Sequence, residues 1–489
     1  MELKVRTLEA GRAVRGRIRQ ITSVLHWPLP LSERRLLLLF GDVVAVCGAV
    51  LIALRLWAWA GGHPFGVAFI RPRWFWFPSL LGAWGLLAWL TDLYDVPTAN
   101  RRSEVPQRVA LALLELTAGY LALYFFLPRN ALPRLFYLFF AVVAMISVTM
   151  WRWAYATLFT LPPLRRRILI VGAGWAGRVL AQALVNQEQA DYHVVGFVDD
   201  DPAKQGTKVA GLPVLGGSAE MLRLVRRYRV DDVVLAITHE LRGELFQALL
   251  DCQAVGVHMI HMPDLYEQLT RQVPVEHVDE GWVLGALNGF PSPGHLERAA
   301  RRLLDLFCGS LGLIGLGCLL PFICLAIYLD DGGPVFYTQV RAGLGGRPFR
   351  VIKFRTMRTD AEPDGRPRWA REGDDRATRV GRILRKTRLD ELPQVINILR
   401  GEMSVVGPRP ERPEFIAELE KQIPFYRARL VVKPGLTGWA QIHYGYGNSV
   451  KDALIKLQYD LYYIRHRSLW LDLYVIFKTV GVVLRGSGI

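Results

Sequence analysis

Two adjacent carboxylates, Asp390 and Glu391, stand at the predicted start of a short helix. Pro393 suits the first turn of this helix, Gly401 is a typical stop, and an apolar face is formed by Val395, Ile396, Ile398 and Leu399. An acidic pair at a helix start often serves only as a cap. An acidic pair among cations also predicts a site for phosphate chemistry. A carboxylate can attack phosphorus as a covalent nucleophile, and a neighbouring carboxylate can hold Mg²⁺.

The cations around this pair are many and closely spaced. Arg409 stands between two prolines, whose fixed φ angles present its guanidinium at little entropic cost, and Pro434–Trp439 is another stiff turn. A basic band recurs about every three residues just before the carboxylates: Arg376, Arg379, Arg382, Arg385, Lys386 and Arg388. Most of this band also fits a surface that faces lipid headgroups. Together with the carboxylates, it predicts a site that stabilises charge on phosphoryl oxygens.

The charge of the whole chain is concentrated in the same region. The 489 residues carry a net charge of +16, of which residues 298–489 supply +12 from 31 basic and 19 acidic residues. Nucleic acid and an anionic membrane are the obvious partners of such a chain. A hydrophobic fraction of 51% excludes a disordered chain, and five cysteines without a CxxC pair argue against a disulfide framework or zinc site.

The apolar residues form membrane-length runs, which favours the membrane over nucleic acid. Four runs, at about 36–59, 74–91, 108–127 and 135–160, approach the roughly 20 residues that span a bilayer. The basic N-terminus (1–35) and the basic exit of the fourth run are predicted to be cytoplasmic. Within the first run, Asp42 is expected to pair inside the bundle and Arg55 to snorkel near an end.

Two later apolar segments need another interpretation. The run at about 303–329 either crosses the membrane or, because Pro321 interrupts it, forms a re-entrant hairpin that keeps the following basic domain inside the cell. We favour the hairpin. The segment at about 470–484 is too short to span and carries two charges, so it predicts an interfacial helix.

The segment between these regions, 161–290, predicts a Rossmann-like α/β domain. Gly172, Gly174 and Gly177 follow a short buried strand and open a helix, and Asp199 ends the next strand. This arrangement is typical of dinucleotide binding. The segment is nevertheless short and lacks a Tyr-x-x-x-Lys pair, so a structural or regulatory domain is favoured over a nucleotide site.

The last third of the chain resembles the bacterial sugar transferase family. Five motifs carry the resemblance: QVRAG at 339–343, KFRTM at 353–357, RKTRLDELPQ at 385–394, GPRPERPEF at 407–415 and PGLTGWAQ at 434–441. The order of parts is similar to the family's long form, which starts exopolysaccharide or O-antigen units. It implies a four-helix transmembrane bundle (36–160), a Rossmann-like domain (161–290) and a monotopic α/β catalytic domain (295–489) with a re-entrant helix.

The resemblance also implies an activity and roles for residues. A member would transfer a hexose-1-phosphate from a UDP-sugar to undecaprenyl phosphate and release UMP, with Asp390 as the nucleophile and Glu391 as the Mg²⁺ ligand. Candidate phosphate contacts are Lys353, Arg355, Arg385 and Arg409. The family's usual Ser-Pro break is replaced here by Leu320-Pro321. An inner-membrane location, anionic lipid contact, a homodimer and no nucleic-acid partner are further expectations.

Two alternatives compete with this interpretation. A membrane-bound, NAD-dependent nucleotide-sugar dehydratase would share the first half of the chain. Its catalytic half needs a second glycine fingerprint and a Tyr-x-x-x-Lys pair, and the only pair, Tyr474 and Lys478, lies in the terminal apolar helix without a fingerprint. A membrane tether for nucleic acid would rest on charge alone and leaves Asp390, Glu391 and Arg409 without a purpose.

Overall fold

The computed structural model of the chain describes residues 31–94, 99, 103–126, 134–159, 165–186, 192–237, 243–277, 294–358, 375–445, 447 and 449–484. Most of the basic N-terminal segment predicted at 1–35 and the end of the 161–290 segment lie outside these residues. The chain divides into two compact units, 1–265 and 266–489.

The first unit begins with helices that share one apolar core. They are α1 (Leu31–Ala60), the short α2 (Val67–Ile70), α3 (Trp76–Leu90), α4 (Val105–Phe126) and α5 (Arg134–Phe159). The core contains residues from α1, α3, α4 and α5, among them Val50, Trp84, Val109 and Phe140. These helices begin and end within a few residues of the predicted runs, because long apolar runs dictate helix position strongly.

A buried ion pair lies inside this helical core. The Asp42 carboxylate of α1 accepts hydrogen bonds from Arg152 of α5 at 2.5 Å and from the Trp84 indole of α3 at 3.0 Å. Both charged side chains are almost fully buried. The prediction that Asp42 pairs inside the bundle is confirmed, and Arg55 is exposed near the end of α1.

Within the described residues, three helical segments are long and apolar enough to cross a membrane. They are Arg34–Ala60, Arg134–Leu158 and His295–Asp331, and Trp76–Leu90 is a shorter apolar helix. Helix α4 is not among these segments, although Glu115 is the only charged residue between positions 109 and 126. The chain therefore carries several candidate membrane helices, while a bundle of four complete spans stays a prediction.

The rest of the first unit is an α/β sheet. Its elements are β1 (Arg166–Val171), α6 (Trp175–Asn186), β2 (Tyr192–Val198), β3 (Lys208–Val209), β4 (Leu212–Gly216), α7 (Met221–Tyr228), β5 (Asp232–Leu235), α8 (Gly243–Ala254) and β6 (His258–His261). Helix α9 (Met262–Thr270) includes the division between the two units. The strand order is β3-β4-β2-β1-β5-β6, parallel except for β3. The order reverses at β1, as in Rossmann-like sheets, and the glycine-rich turn follows β1 at this point.

The second unit is built on a 37-residue helix, α10 (His295–Asp331). It is followed by β7 (Phe336–Ala342), β8 (Pro348–Phe354), α11 (Arg379–Lys386), α12 (Val395–Arg400), β9 (Ser404–Val406), α13 (Pro413–Leu419), β10 (Gly435–Thr437), α14 (Trp439–His443), α15 (Val450–Arg465) and α16 (Leu469–Leu484). Strands β7 and β8 form an antiparallel hairpin, and β9 pairs with β10 in parallel. One buried core joins α10 to β8, α11 and α12 through Leu316, Ile323, Phe354, Leu384 and Val395.

Helix α10 runs without interruption through Pro321. The break in the helix that Pro321 predicts is therefore not seen. A proline removes one backbone hydrogen bond, and a long helix that is packed both before and after the proline can continue through it. The side chains of Leu316, Ile323 and Ile327 provide that packing.

Candidate active site

The acidic pair lies in a tight turn between two helices. A 3₁₀ turn, Leu389–Gln394, connects α11 to α12, and Arg388 enters it with a left-handed φ of 59°. Such a φ is uncommon for a residue with a side chain and often occurs at functional sites. Asp390 and Glu391 therefore precede α12 by one turn, where their carboxylates also favour the helix N-terminus.

Glu391 is held by two cations from separate elements. Lys353 of β8 places its Nζ 2.8 Å from Glu391 Oε1, and Arg409 places Nη2 2.5 Å from the same oxygen. Arg409 Nη1 makes a longer contact of 3.4 Å with Oε2. Glu391 is buried, whereas 38% of the Arg409 side chain stays exposed. Arg409 can therefore contact a substrate while it pairs with Glu391.

Asp390 is in a different state from its neighbour. Its Oδ1 atom is buried and has no hydrogen-bond partner among the described residues. Burial and the negative charge of Glu391 raise the pKa of Asp390 to about 6, against the opposing effect of Lys353, Arg409 and Arg388. An oxygen without a partner and with a raised pKa is a more basic nucleophile than an ordinary surface carboxylate.

The electrostatics of the cluster follow from burial and close charges. Burial alone would raise the pKa of Glu391, but the charges of Arg409 and Lys353 outweigh it and the pKa is lowered. Glu391 in turn raises the pKa of Arg409, and burial lowers the pKa of Lys353. Glu391 is therefore ionised at neutral pH, while Asp390 has a pKa of about 6.

The loop that carries Arg409 is fixed by backbone contacts. Gly407 donates to the Thr437 carbonyl at 2.9 Å, and Gly435 donates to the Pro408 carbonyl at 2.9 Å. A Cβ atom on Gly407 would lie 2.4 Å from the Lys433 carbonyl oxygen, so only glycine fits this approach. The two turns singled out in the sequence, at 407–410 and 434–439, are therefore one structural feature.

Residues that the sequence analysis missed support the same loop. The buried Arg429 donates to the Arg409 carbonyl at 3.2 Å and to Asp460 of α15 at 2.7 Å. Arg341 donates to the Pro410 carbonyl at 3.1 Å. No local pattern marks Arg429 or Asp460, because their roles depend on contacts between distant segments.

The sequence-predicted phosphate contacts divide into two groups. Lys353 and Arg409 meet at Glu391, as described above. Arg355 points elsewhere: it donates to the Gly333 carbonyl at 2.6 Å and pairs with Asp331 at 3.1 Å, at the C-terminal end of α10. Arg385 lies half-buried in the last turn of α11, where its charge adds to those that lower the pKa of Arg388.

The glycine-rich turn of the Rossmann-like domain has structural reasons of its own. A Cβ atom on Gly177 would lie 2.0 Å from the Gly172 carbonyl oxygen, and Gly172 has a φ of 105°. Asp199 accepts hydrogen bonds from the Ala173 amide at 2.8 Å and from Lys204 at 3.1 Å. These close contacts give Gly172, Gly177 and Asp199 a packing role, which a nucleotide-binding turn would share. A Cβ atom on Gly174 meets nothing within 4 Å.

Comparison with known proteins assigns the two halves of the chain separately. Residues 296–486 match the family model described as bacterial sugar transferase, and residues 90–263 match the one described as CoA-binding domain. A UDP-glucose:undecaprenyl-phosphate glucose-1-phosphate transferase of Klebsiella pneumoniae is 34% identical over 65% of this chain and 67% of its own length. The chain belongs to the bacterial sugar transferase family.

Other family members differ in how much of the chain they share. A UDP-N-acetylgalactosamine-undecaprenyl-phosphate N-acetylgalactosaminephosphotransferase of Aeromonas hydrophila is 39% identical over 53% of this chain and 60% of its own length. A transferase of Caulobacter vibrioides with the same name as the Klebsiella protein is 38% identical over 48% of this chain and 88% of its length. The chain spans about 60% of the length of several curated relatives.

Membership of this family disfavours the dehydratase alternative. The Tyr474–Lys478 pair lies inside the segment that matches the sugar transferase model. Tyr474 is buried against Trp439, and the Lys478 ammonium lies 5.3 Å from the centre of the Tyr474 ring. These two side chains therefore have a packing role within α16.

Proposed function

We propose that the protein transfers a hexose-1-phosphate from a UDP-sugar to undecaprenyl phosphate and releases UMP. The observation that carries the proposal is the buried Asp390 oxygen without a partner, beside a Glu391 that Arg409 and Lys353 hold ionised. The names of the Klebsiella, Aeromonas and Caulobacter relatives support the same reaction. The reaction would be the first membrane step of exopolysaccharide or O-antigen synthesis.

The chemistry divides into two displacements at one phosphorus. The Asp390 carboxylate attacks the β-phosphorus of the UDP-sugar, a P–O bond to the bridging oxygen breaks, and UMP leaves with that oxygen. The resulting aspartyl-phosphosugar is then attacked by an oxygen of undecaprenyl phosphate, which frees the carboxylate. Arg409 and Lys353 stabilise the negative charge on the phosphoryl oxygens, since both are cationic and lie beside the acidic dyad of Asp390 and Glu391.

The residues also fit the Mg²⁺ that the family resemblance implies. Within the described residues no three acidic, His or Cys side chains group as a metal site. Mg²⁺, however, commonly binds through one or two carboxylates together with substrate phosphates. Glu391 Oε2, with its long contact of 3.4 Å to Arg409, is the oxygen we propose for it. When bound there, Mg²⁺ would neutralise charge on the diphosphate.

A panel assay tests the proposed function directly. Purified protein is incubated with UDP-glucose, UDP-galactose or UDP-N-acetylgalactosamine, with and without undecaprenyl phosphate and Mg²⁺, and UMP is measured. We expect release of UMP with at least one sugar that depends on the polyprenyl phosphate for continued turnover. Absence of UMP from every sugar, with folded protein in a bilayer, would overturn the proposal.

The raised pKa of Asp390 predicts a specific pH dependence. Only the ionised carboxylate attacks, so kcat is expected to fall as the pH drops through about 6. Lys353 lowers this pKa, so Lys353→Met is expected to move the acidic limb to higher pH. The measurement is UMP release between pH 4 and 8. An acidic limb near about 4, the ordinary carboxyl value, would contradict the prediction.

We further propose that α10 enters and leaves the membrane on the same side. Both of its ends contact the same folded unit: Asp305 accepts from the Val405 amide, and Asp330 accepts from the Val380 amide at 2.9 Å. If this helix, about 55 Å long, crossed a bilayer core of about 30 Å, the folded unit that contacts both of its ends would be drawn into the bilayer. One side of α10 exposes large apolar residues over its whole length, including Leu303, Phe307, Leu311, Phe322 and Leu329. That face suits lipid.

Cysteine labelling tests the proposed sidedness. In a variant without native cysteines, Arg347→Cys beyond α10 and His63→Cys beyond α1 are compared in intact cells, since both positions are exposed. A membrane-impermeant reagent is expected to label His63→Cys and to spare Arg347→Cys. Equal labelling of both would show that α10 crosses the membrane.

Other parts of the proposal concern the surroundings of the catalytic domain. The exposed side of α11 carries Arg379, Arg382, Lys386 and Ile383, which suits anionic lipid headgroups near the membrane surface. We also propose that the protein lies in the bacterial inner membrane, with both α/β domains in the cytoplasm, in keeping with the sidedness proposed for α10. A homodimer stays a prediction, and so does a structural or regulatory role, without a nucleotide, for the Rossmann-like domain.

A further inference from the structure

The first turns of α10 contact the segment that follows the acidic dyad. Arg302 donates from Nη1 to the Ile398 carbonyl at 2.8 Å and from Nη2 to the Leu399 carbonyl at 2.6 Å. These carbonyls belong to the last turn of α12, where the Ile398 carbonyl also accepts from the Gly401 amide at 2.9 Å. A cation in this position also suits the negative end of the helix dipole. Arg302 thereby ties α10 to the helix that begins directly after the turn of Asp390 and Glu391.

One turn further on, α10 contacts the strand that leads to Arg409. The buried Asp305 accepts hydrogen bonds at 2.8 Å from the Ser404 hydroxyl and at 2.8 Å from the Val405 amide, both in β9. This strand continues directly into Gly407, Pro408 and Arg409. A buried carboxylate with two donors is strongly bound, and its loss leaves those donors unsatisfied.

The contact between α10 and α12 is close as well as polar. A Cβ atom on Gly309 would lie 2.9 Å from the Leu399 side chain, and one on Gly312 would lie 2.7 Å from the Val395 side chain. These glycines lie on the Asp305 side of α10, whereas Leu303, Phe307 and Leu311 are exposed on the other side. One stretch of α10 therefore faces the active-site segments on one side and presents an apolar surface on the other.

We propose that Arg302 and Asp305 are positioning residues. They fix the segments that carry Glu391 and Arg409 to α10, and thereby set the geometry of the active site. Arg302 holds the dyad segment, Asp305 holds the Arg409 segment, and the two side chains are one turn apart on a rigid helix. Because Glu391 and Arg409 come from these two segments, their contact depends on both anchors. The inference rests on the proposed function for its assay.

A double-mutant cycle measures whether Asp305 acts through Arg409. UMP release in single turnovers is compared for the wild type, Asp305→Ala, Arg409→Ala and the double variant. Asp305→Ala is expected to lower the rate roughly 100-fold, the size of effect that a small misplacement of a catalytic group produces. In the Arg409→Ala background, the same change is expected to cost less than about threefold, because the group it positions is gone.

Two conservative variants and one control complete the design. Asp305→Asn keeps an acceptor oxygen and is expected to retain activity within about fivefold of the wild type, and Ser404→Ala, which removes one of the two donors, to lose less than Asp305→Ala. Arg298→Ala is the control, since Arg298 is exposed on the same helix and, among the described residues, its side chain hydrogen-bonds only to its helical neighbour His295. It is expected to react at the wild-type rate.

The possible outcomes separate this inference from the proposed function. An Asp305→Ala rate equal to that of the wild type, or an equal loss in both backgrounds, would overturn the positioning role. If Asp305→Ala does not fold, the cycle is run with Ser404→Ala, and additivity there overturns the role in the same way. A wild type that releases no UMP would overturn the proposed function instead.

Discussion

Asp390→Asn is expected to reduce transfer by at least about 10³-fold, with the protein still folded. Loss of a covalent nucleophile typically costs more than this, and an amide cannot attack phosphorus or leave from it. Asparagine keeps the size of the side chain, so the turn at 389–394 is expected to persist. The measurement is UMP release from the best UDP-sugar of the panel.

A trapping experiment distinguishes a nucleophile from a residue that only binds substrate. Wild-type protein given a UDP-sugar labelled in its β-phosphate, without acceptor, is expected to retain the label covalently, and Asp390→Asn to retain none. Asp375→Asn serves as the matched control, because Asp375 is an exposed aspartate earlier in the same domain. Transfer by Asp390→Asn at near wild-type rates would exclude Asp390 as the nucleophile.

The parts of the molecule that depend on local pattern could be predicted from sequence. The helices at 31–60, 76–90, 105–126 and 134–159 and the strands β1 and β2 follow from hydrophobic runs and turn residues. The dyad before α12 follows from Pro393 and the apolar spacing after it. In each case neighbouring residues in the chain decide the structure.

The parts that depend on distant contacts could not be predicted. Lys353 and Arg355 are two residues apart, which on a continuous strand would put them on one face. Strand β8 ends at Phe354, so Arg355 turns away to cap α10 at Asp331. Arg429 and Asp305 act on segments 20 to 100 residues away. Their roles become visible only once the chain is folded.

The same limit applies to Arg388, which the sequence indicates only as part of a basic band. Its spacing is that of a surface cation, and nothing local predicts its left-handed φ of 59°. In the folded chain, burial and the nearby charge of Arg409 lower the pKa of Arg388, while the carboxylates of Glu391 and Asp390 act in the opposite direction. We therefore propose two roles for the basic band: contact with lipid headgroups for its exposed members, and a place in the active site for its last member, Arg388.

Arg409→Lys is expected to lower kcat about 10²-fold although the charge is kept. Arginine contacts both oxygens of Glu391 from one planar group, at 2.5 and 3.4 Å, and an ammonium cannot reproduce this fork. Its free donors are also those we place on the phosphoryl oxygens in the transition state. Arg409→Ala is expected to cost more, about 10³-fold, because the charge is lost as well.

The pH profile distinguishes the loss of the planar guanidinium in Arg409→Lys from the loss of the positive charge in Arg409→Ala. Arg409 lowers the pKa of Asp390, so removing its charge in Arg409→Ala is expected to move the acidic limb of kcat above about 6, while Arg409→Lys leaves the limb in place. Arg427→Lys is the control, since this exposed arginine pairs with Glu420 on the surface at 3.5 Å, where an ion pair contributes little. An unchanged acidic limb in Arg409→Ala would mean that Arg409 does not act on the Asp390 carboxylate, and its role would then be confined to holding Glu391 and the substrate in place.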